Sequence, residues 1–206
     1  VSKLISVNKD VLLFTRKKEL VEAINTDHKH LGYNLAPNVL ATDSLQEICE
    51  KCAVLFIVVP SSAMRITVQA MSQYLKPYHI IIHGTKGIDT NLITDDELEH
   101  GKFDRKEIST MSEVIAQESC VVRIGCLSGP NLAKEILNDL PAASVIASEF
   151  DEVIEIGKEV LTSRKFTVFG SYDLKGAEIA GAYKNIIAVA SGINNGMGLG
   201  KNMEAL

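Results

Sequence analysis

The chain has 206 residues, of which 46% are hydrophobic and 23% charged, a composition typical of globular proteins and a length that allows one large domain or two small ones. Its net charge of −5 gives no general reason to expect nucleic acid or an anionic membrane as a partner, and no apolar run is long enough to predict a membrane span. Four cysteines without an export signal predict reduced thiols and a cytoplasmic location.

Both ends of the sequence are abrupt. The chain starts at Val1, and residues 1–10 have the pattern of the second half of a helix. It stops after residues 201–206 without a pattern that terminates a domain. We therefore expect a fragment of a longer protein, truncated at both ends.

A short apolar run at residues 11–14 predicts a buried parallel strand. The basic residues Arg16, Lys17 and Lys18 follow it, and no acidic residue comes before Glu19. In a dinucleotide-binding fold, a basic residue after the second strand accommodates the 2′-phosphate of NADP, whereas an acidic one favours NAD. Arg16 is therefore the better candidate for a cofactor contact, and Lys18 fits a solvated helix start.

The strongest predicted strand spans residues 52–59, which are apolar throughout and should be covered on both faces. Pro60 ends this strand, and the serines after it can cap the next helix. Cys49 and Cys52 form a lone C-x-x-C pattern, with no second ligand pair at a spacing that zinc would need. We therefore predict core thiols at these positions and no metal site.

Residues 79–83 predict another buried strand, and Lys86 follows it between Gly84 and Gly87. Ligands in open α/β sheets bind beyond the carboxyl ends of the strands. Flanking glycines let the backbone approach a ligand, and a lysine adds a positive charge. Lys86 is therefore a candidate binding residue, although a surface turn explains the same pattern equally well.

A predicted strand at residues 120–127 leads into Gly129 and Pro130. Pro130 suits the first position of a helix, and the N-terminus of such a helix offers free N–H groups to an anion or a carbonyl. Gly129 would leave room for a ligand beside the backbone. This turn is a second candidate binding segment.

The rest of the chain continues the alternation of strands and helices. Two more strands are predicted, with a helix between them, at residues 143–147, 165–169 and 152–161. Regular alternation of this kind predicts an α/β fold with a parallel sheet.

Residues 176–200 are apolar nearly all round and predict a buried helix that carries Lys184. Burial lowers the pKa of a lysine, so a buried Lys184 could exchange a proton near neutral pH. The alternative is a lysine whose charged end reaches solvent from a core helix.

Several motifs, taken together, resemble one enzyme family. They are VLLFTR, VVPSSAMR, HGTKGID, LSGPNLAKEI, EIAGAYKNIIAVASGI and GMGLGKNMEAL, at residues 11–16, 58–65, 83–89, 127–136, 178–193 and 196–206. In this collinear order they resemble the NAD(P)-dependent glycerol-3-phosphate dehydrogenases of bacterial type, over essentially the whole chain. The resemblance implies a Rossmann-like parallel sheet at residues 1–170, without its first strand and glycine loop, followed by the start of an all-helical substrate domain at residues 171–206.

The resemblance also implies an activity. Members of this family interconvert glycerone phosphate, a small phosphate-bearing substrate, and sn-glycerol 3-phosphate with NAD or NADP, which feeds glycerophospholipid synthesis. Lys184 matches the family's proton donor and acceptor, with Asn185 beside it at the substrate. Lys86 matches a lysine that contacts both substrate and cofactor. A homodimer is expected for the full-length protein.

Further site positions follow from the same resemblance. Gly129 and Asn131 match positions that line the substrate, and Ala133 matches one that lines the nicotinamide. Family members often carry Ser or Thr where this chain has Asn131, which can still form hydrogen bonds. Arg16 and Lys17 fit the position beside the cofactor ribose.

Two alternatives stay open. The chain could be a catalytically inactive remnant of a disrupted gene, because the family's glycine-rich phosphate loop has no counterpart before Val11. It could also belong to another two-domain dehydrogenase that acts on a hydroxy acid or on a 6-phosphogluconate-type substrate. Such enzymes also place a lysine in a helix after the nucleotide domain.

Overall fold

A computed structural model describes residues 1–90 and 93–204 of the chain. The last two residues of the predicted segments 171–206 and 196–206 lie outside these described residues. Within them, strands and helices alternate along the chain, as expected for an α/β fold.

Each strand predicted from the sequence is present, with small shifts of its ends. The described strands are β1 (Val11–Phe14), β2 (Lys29–His30), β3 (Tyr33–Asn34), β4 (Val39–Thr42), β5 (Val54–Ile57), β6 (Ile80–His83), β7 (Ile88–Asp89), β8 (Ser109–Thr110), β9 (Arg123–Ser128), β10 (Ala142–Ser148) and β11 (Phe166–Ser171). The described helices are α1 (Ser2–Ile5), α2 (Lys18–Asp27), α3 (Leu45–Lys51), α4 (Ser61–Ser72), α5 (Asp95–His100), α6 (Met111–Glu118), α7 (Ala133–Leu137), α8 (Asp151–Leu161), α9 (Leu174–Met197) and α10 (Gly200–Glu204).

Five strands form the main sheet, in the order β11-β10-β9-β6-β5. β5, β6 and β9 are mutually parallel, with Val54 opposite Ile80 and Ile80 opposite Arg123. β10 and β11 are also parallel to each other. However, β9 and β10 are antiparallel, with Val145 opposite Ser128. The expected parallel sheet therefore contains one antiparallel pairing.

The connection between β9 and β10 explains the reversal. It contains only α7, a helix of five residues that spans roughly 7–8 Å at 1.5 Å per residue. β9 has six residues and is roughly 20 Å long at about 3.3 Å per residue. Because α7 is too short to carry the chain back along the sheet, β10 starts at the end where β9 stops.

Apolar cores cover both faces of the main sheet. Alternate side chains of a strand point to opposite faces, and on β6 they divide between two clusters. Ile81 packs in one cluster with Met64 of α4 and Val114 of α6. Ile82 packs in the other with Val153 of α8. The predicted burial of this strand is thereby confirmed.

β1 and β4 form a separate parallel pair, with Val11 opposite Val39. All four residues of β1 are only half-buried, so the prediction of a fully buried strand is wrong here. An open apolar cavity of about 710 Å³ lies between β1 and β5 and is lined by residues of both strands and of α3, α4 and α8. β5 borders the same cavity, which leaves Val54 and Phe56 half-buried and makes the predicted coverage of both faces of this strand incomplete. We call this space the interstrand groove.

The long helix α9 is more exposed than its sequence predicts. Ile186, Ile187 and Val189 each expose more than half of their side-chain surface. Its buried residues are Glu178, Gly181 and Asn194. Most of its apolar residues remain exposed, although α9 contacts β8, β9, β10 and α10 and also reaches β6 and α6 through side chains.

Candidate active site

Lys86 lies in the loop between β6 and β7, at the carboxyl end of β6. Its Nζ donates a hydrogen bond to the carbonyl oxygen of Gly129 at 3.1 Å. The neighbouring Thr85 donates from Oγ1 to the carbonyl oxygen of Val59 at 2.6 Å, which joins this loop to the segment after β5. The structure therefore holds Lys86 where ligands bind in open α/β sheets.

Gly129 has a packing role that the sequence did not reveal. Its φ angle of +152° is one that residues with a side chain rarely adopt. A Cβ atom at this position would lie 2.8 Å from Oγ of Ser144 and 3.1 Å from the carbonyl oxygen of Ala143. On the side where a side chain would point, the space beside Gly129 is therefore filled by β10.

The helix predicted to start at Pro130 starts at Ala133 instead. Asn131 donates its backbone N–H to the carbonyl oxygen of Gly129 at 3.0 Å, so a tight turn occupies the predicted first positions of the helix. Oδ1 of Asn131 accepts a hydrogen bond from Ser144. Ala133 is exposed. The first turn of α7 therefore lies three residues further along the chain than predicted.

The first turns of α9 pack against the ends of β6 and β9. Oδ1 of Asp173 accepts a hydrogen bond from the N–H of Gly176 at 2.8 Å and caps the helix. Ser128, the last residue of β9, donates to the carbonyl oxygen of Ala177 at 3.2 Å. A Cβ atom at Gly181 would lie 3.8 Å from Cγ of Lys86, so α9 passes directly over this lysine.

Lys184 is exposed, and the prediction that it is a buried lysine is wrong. It belongs to a run of exposed residues, 183–190, within α9. Asn185 is exposed as well. The argument that burial tunes Lys184 for proton transfer therefore does not hold in this structure.

Lys184 lies about one helical turn after Gly181, the residue at which α9 passes over Lys86. Burial, and then the positive charge of Lys184, lower the pKa of Lys86. Two ammonium groups thus share one region at the carboxyl ends of β6 and β9. Such a pair attracts a phosphate group and can stabilise a negative charge that develops on an oxygen atom.

A buried carboxylate near these lysines was not assigned a role from the sequence. Glu178 is only 7% exposed, and its two oxygens accept hydrogen bonds from N–H and Oγ–H of Ser112 at 2.8 and 2.5 Å. Nε2 of His83 lies 3.0 Å from the same carboxylate. Burial alone raises the pKa of this carboxyl, but the contacts with His83 and Ser112 outweigh it and hold the pKa below its ordinary value of 4.5. The available sequence signal was a single acidic residue within an otherwise apolar helix.

A second ion pair, also missed, holds the far side of the Lys86 loop. Arg65 of α4 donates from Nη2 to Oδ2 of Asp89 at 2.6 Å, and Asp89 is buried. Arg65 also pairs with Glu118 at the end of α6. Because Asp89 follows Lys86 closely in sequence, this pair restricts the loop from the side opposite to His83.

Arg16 and Lys17 lie elsewhere, at the carboxyl end of β1, and both are exposed. Lys17 is the N-cap residue of α2, a helix of ten residues. Among the hydrogen bonds and ion pairs of the described residues, none joins these two side chains to Lys86 or Gly129.

Two kinds of feature are absent from residues 1–90 and 93–204. No helix there is both long and apolar enough to cross a membrane. In the same part of the chain, no three His, Cys, Asp or Glu side chains are arranged to hold a metal ion.

Sequence comparisons match the chain to one family along nearly its whole length. The model described as NAD-dependent glycerol-3-phosphate dehydrogenase N-terminus matches residues 1–154, and the corresponding C-terminus model matches residues 173–206. A protein from Exiguobacterium sp. named glycerol-3-phosphate dehydrogenase [NAD(P)+] is 34% identical over 203 residues, covering 95% of this chain and 55% of its own length. A protein of the same name from Acinetobacter baylyi is 33% identical, covering 96% of this chain and 52% of its own length. The chain thus spans about half the length of the curated relatives it matches.

Solved structures agree with these matches. Glycerol-3-phosphate dehydrogenase from Coxiella burnetii is 26% identical, with a TM-score of 0.78, over 99% of this chain and 59% of that one. The enzyme from Saccharomyces cerevisiae is 21% identical, with a TM-score of 0.84, over 99% of this chain and 62% of that one. At this identity, the similarity to the Saccharomyces cerevisiae enzyme shows the fold alone. The Rossmann-like fold class expected from the sequence is confirmed.

Proposed function

Because the chain belongs to the NAD-dependent glycerol-3-phosphate dehydrogenase family, we propose that its protein interconverts glycerone phosphate and sn-glycerol 3-phosphate with NADH or NADPH. One observation carries the proposal: α9 passes over Lys86 at Gly181, at the carboxyl ends of β6 and β9, and Lys184 follows about one helical turn later. The feeding of glycerophospholipid synthesis belongs to the same proposal.

The two lysines divide the work on the substrate. In the reducing direction, the carbonyl carbon receives a hydride and the carbonyl oxygen gains negative charge and then a proton. The Lys184 ammonium stabilises that charge and donates the proton, and Asn185 lies beside it. Lys86, held by the carbonyl oxygen of Gly129, attracts and orients the phosphate-bearing molecule. When bound, NADH or NADPH supplies the hydride.

The donor set at the end of β1 fits the dinucleotide. Arg16 and Lys17 are exposed side by side at the start of α2, and no acidic residue precedes Glu19. Two cations next to free N–H groups suit a phosphate or a ribose carrying one. We assign Arg16 and Lys17 to the adenosine end of the cofactor, and Ala133 and Lys86 to its nicotinamide end. Asn131 and Gly129 border the substrate.

Three further expectations stay predictions. The domain border is placed near residue 170, between β11 and α9, so that residues 1–170 form the nucleotide domain and residues 171–206 begin the substrate domain. The full-length protein is expected to be a homodimer. Its location is expected to be cytoplasmic.

Turnover with glycerone phosphate tests the proposal. Oxidation of NADH and of NADPH is followed spectroscopically, for the protein and for the variants Lys184→Met and Lys86→Met. Loss of a proton donor should lower kcat by about 100-fold to 10,000-fold in the Lys184 variant. Lys175→Met is the matched control, because Lys175 lies on the same helix and pairs with Glu113 at 2.8 Å. Turnover that survives both site substitutions unchanged contradicts the assignment.

Substrate profiling separates the alternatives. A protein that oxidises a hydroxy acid or 6-phosphogluconate, but does not act on sn-glycerol 3-phosphate, belongs to another class of dehydrogenase. A folded protein that turns over none of these compounds supports the inactive remnant.

A further inference from the structure

A buried carboxylate lies behind the two lysines and joins the elements that carry them. Glu178 precedes Lys184 on α9, and its partner His83 precedes Lys86 at the end of β6. The second partner of Glu178, Ser112, belongs to the first turn of α6. The side chain of Glu178 therefore connects α9 and β6, which carry the proposed site, with α6 on the face of the sheet.

The charges around Glu178 favour its ionised form. The N–H of Ser112 is one of the free donors at the N-terminus of α6, where the helix dipole attracts a negative charge. Thr110 satisfies another donor of that turn by capping the N–H of Glu113. The thiol of Cys126 faces the carboxylate from β9, and burial, then the charge of Glu178, raise the pKa of this thiol to about 12. His83 faces it from β6.

The seam between α9 and the strand ends is tightly filled. A cavity of only about 10 Å³ remains among His83, Lys86, Ser128, Glu178 and Gly181. A shift of α9 along or away from β6 would therefore move Lys184 relative to Lys86. Of the contacts that fix α9, the cap by Asp173 and the pair of Lys175 with Glu113 do not involve β6.

We propose that Glu178 is a positioning residue, which anchors α9 to β6 so that Lys184 and Lys86 face the same substrate. The inference rests on the proposed function for the meaning of the two lysines. A residue with a merely structural role would change the stability of the protein and leave the distance between Lys184 and Lys86 unchanged. The electrostatic effect of Lys184 on Lys86 depends on this distance and can be measured without any substrate.

The titration of Lys86 reports how close the charge of Lys184 lies to it. Lysines of the 206-residue chain are labelled by reductive methylation with a ¹³C-methyl group, and each signal is followed by NMR as a function of pH. The signal of Lys86 is assigned by its absence in Lys86→Met. The variant Lys184→Met measures how much of the lowered pKa of Lys86 comes from Lys184.

Removal of the anchor should have the same effect as removal of the neighbouring charge. In Glu178→Ala, the Lys86 titration should move up to that of Lys184→Met, and Glu178→Gln, which keeps an acceptor for Ser112, should lie in between. Lys175→Met removes a surface contact between the same two helices and should leave Lys86 unchanged. A folded Glu178→Ala chain whose Lys86 titrates as in the unmodified sequence overturns the proposal.

A second variant guards against unfolding. Ser112→Ala removes one donor to Glu178 and leaves the backbone N–H in place. It should shift the Lys86 titration in the same direction as Glu178→Gln, and an unchanged titration overturns the proposal. Lack of turnover in the unmodified protein would count against the proposed function alone, because the lysine titrations need no catalysis.

Discussion

Gly129 shows how a single residue can serve the site through packing. Its positive φ angle and its contact with β10 keep its carbonyl oxygen within reach of Nζ of Lys86. The sequence motif marks this glycine, but the reason for a glycine there becomes visible only when Ser144 is in place. That residue comes from a strand that the motif does not contain.

We predict that Gly129→Ala destabilises the protein. The added Cβ would meet Oγ of Ser144 at 2.8 Å in a backbone conformation that alanine disfavours, at a cost of about 1–3 kcal/mol in the free energy of unfolding. Gly192→Ala in α9 is the control: nothing lies within 4 Å of its Cβ, so it should gain about 0.5–1 kcal/mol. Denaturant unfolding measures both. Equal effects of the two substitutions would contradict this account of Gly129.

Glu178 should make the free energy of unfolding of the protein depend on pH in the acidic range. Its pKa is lower in the folded protein than the ordinary 4.5, so the unfolded chain binds more protons between these two values. The contribution of Glu178 is therefore fully present above pH 4.5 and is lost as the pH falls through the folded pKa. The stability difference between the protein and Glu178→Gln should shrink in that range. Unfolding measured across it would refute the linkage if the difference grew as the solution became more acidic.

At the scale of elements, hydrophobic runs predicted the strands well. β1, β6 and β10 lie where their apolar residues indicated, because burial on a sheet needs such runs whatever the topology. The direction of β10 could not be predicted in this way. It depends on the length of α7, which starts only after the turn at Gly129.

The candidate site was predictable in part. The ends of strands and the family motifs indicate Lys86 and Lys184, and Lys184 lies about one helical turn after the residue at which α9 passes over Lys86. The contact between His83 and Glu178 could not be predicted, since it joins residues distant in sequence and requires both α6 and α9 in place. The prediction that Lys184 is buried was wrong because the apolar pattern of a sequence predicts a helix but does not show which elements pack against it.

The exposed surface of α9 gives a prediction at this scale. Ile187 is 62% exposed, so Ile187→Gln should change the free energy of unfolding by no more than about 0.5 kcal/mol. Ile115 of α6 is fully buried, and Ile115→Ala should cost about 2–5 kcal/mol. Chemical denaturation of both variants gives the comparison. A large loss in Ile187→Gln would mean that another surface covers α9 in solution.

The whole molecule is organised around a divided set of strands. Within residues 1–90 and 93–204, the pair β1–β4 and the five-stranded sheet are not joined by strand pairing, and the interstrand groove separates β1 from β5. Arg16 and Lys17 follow one part, and Lys86 follows the other. The two proposed halves of the cofactor site therefore depend on how α3 and α4 hold the two parts together.

The interstrand groove should bind small apolar probes. The groove is open, has a volume of about 710 Å³ and is lined by apolar residues such as Leu13 and Phe56, which are both half-buried. We expect the dye ANS, which fluoresces on apolar protein surfaces, to bind the native protein. In Leu13→Asp a negative charge lies in the groove and repels the sulfonate group of ANS, and a cost of about 1.4 kcal/mol would weaken binding about tenfold. Ile187→Asp, on the exposed face of α9, is the control and should leave ANS affinity unchanged. If the Ile187 variant loses the dye and the Leu13 variant keeps it, the dye binds on α9 and the groove is closed in solution.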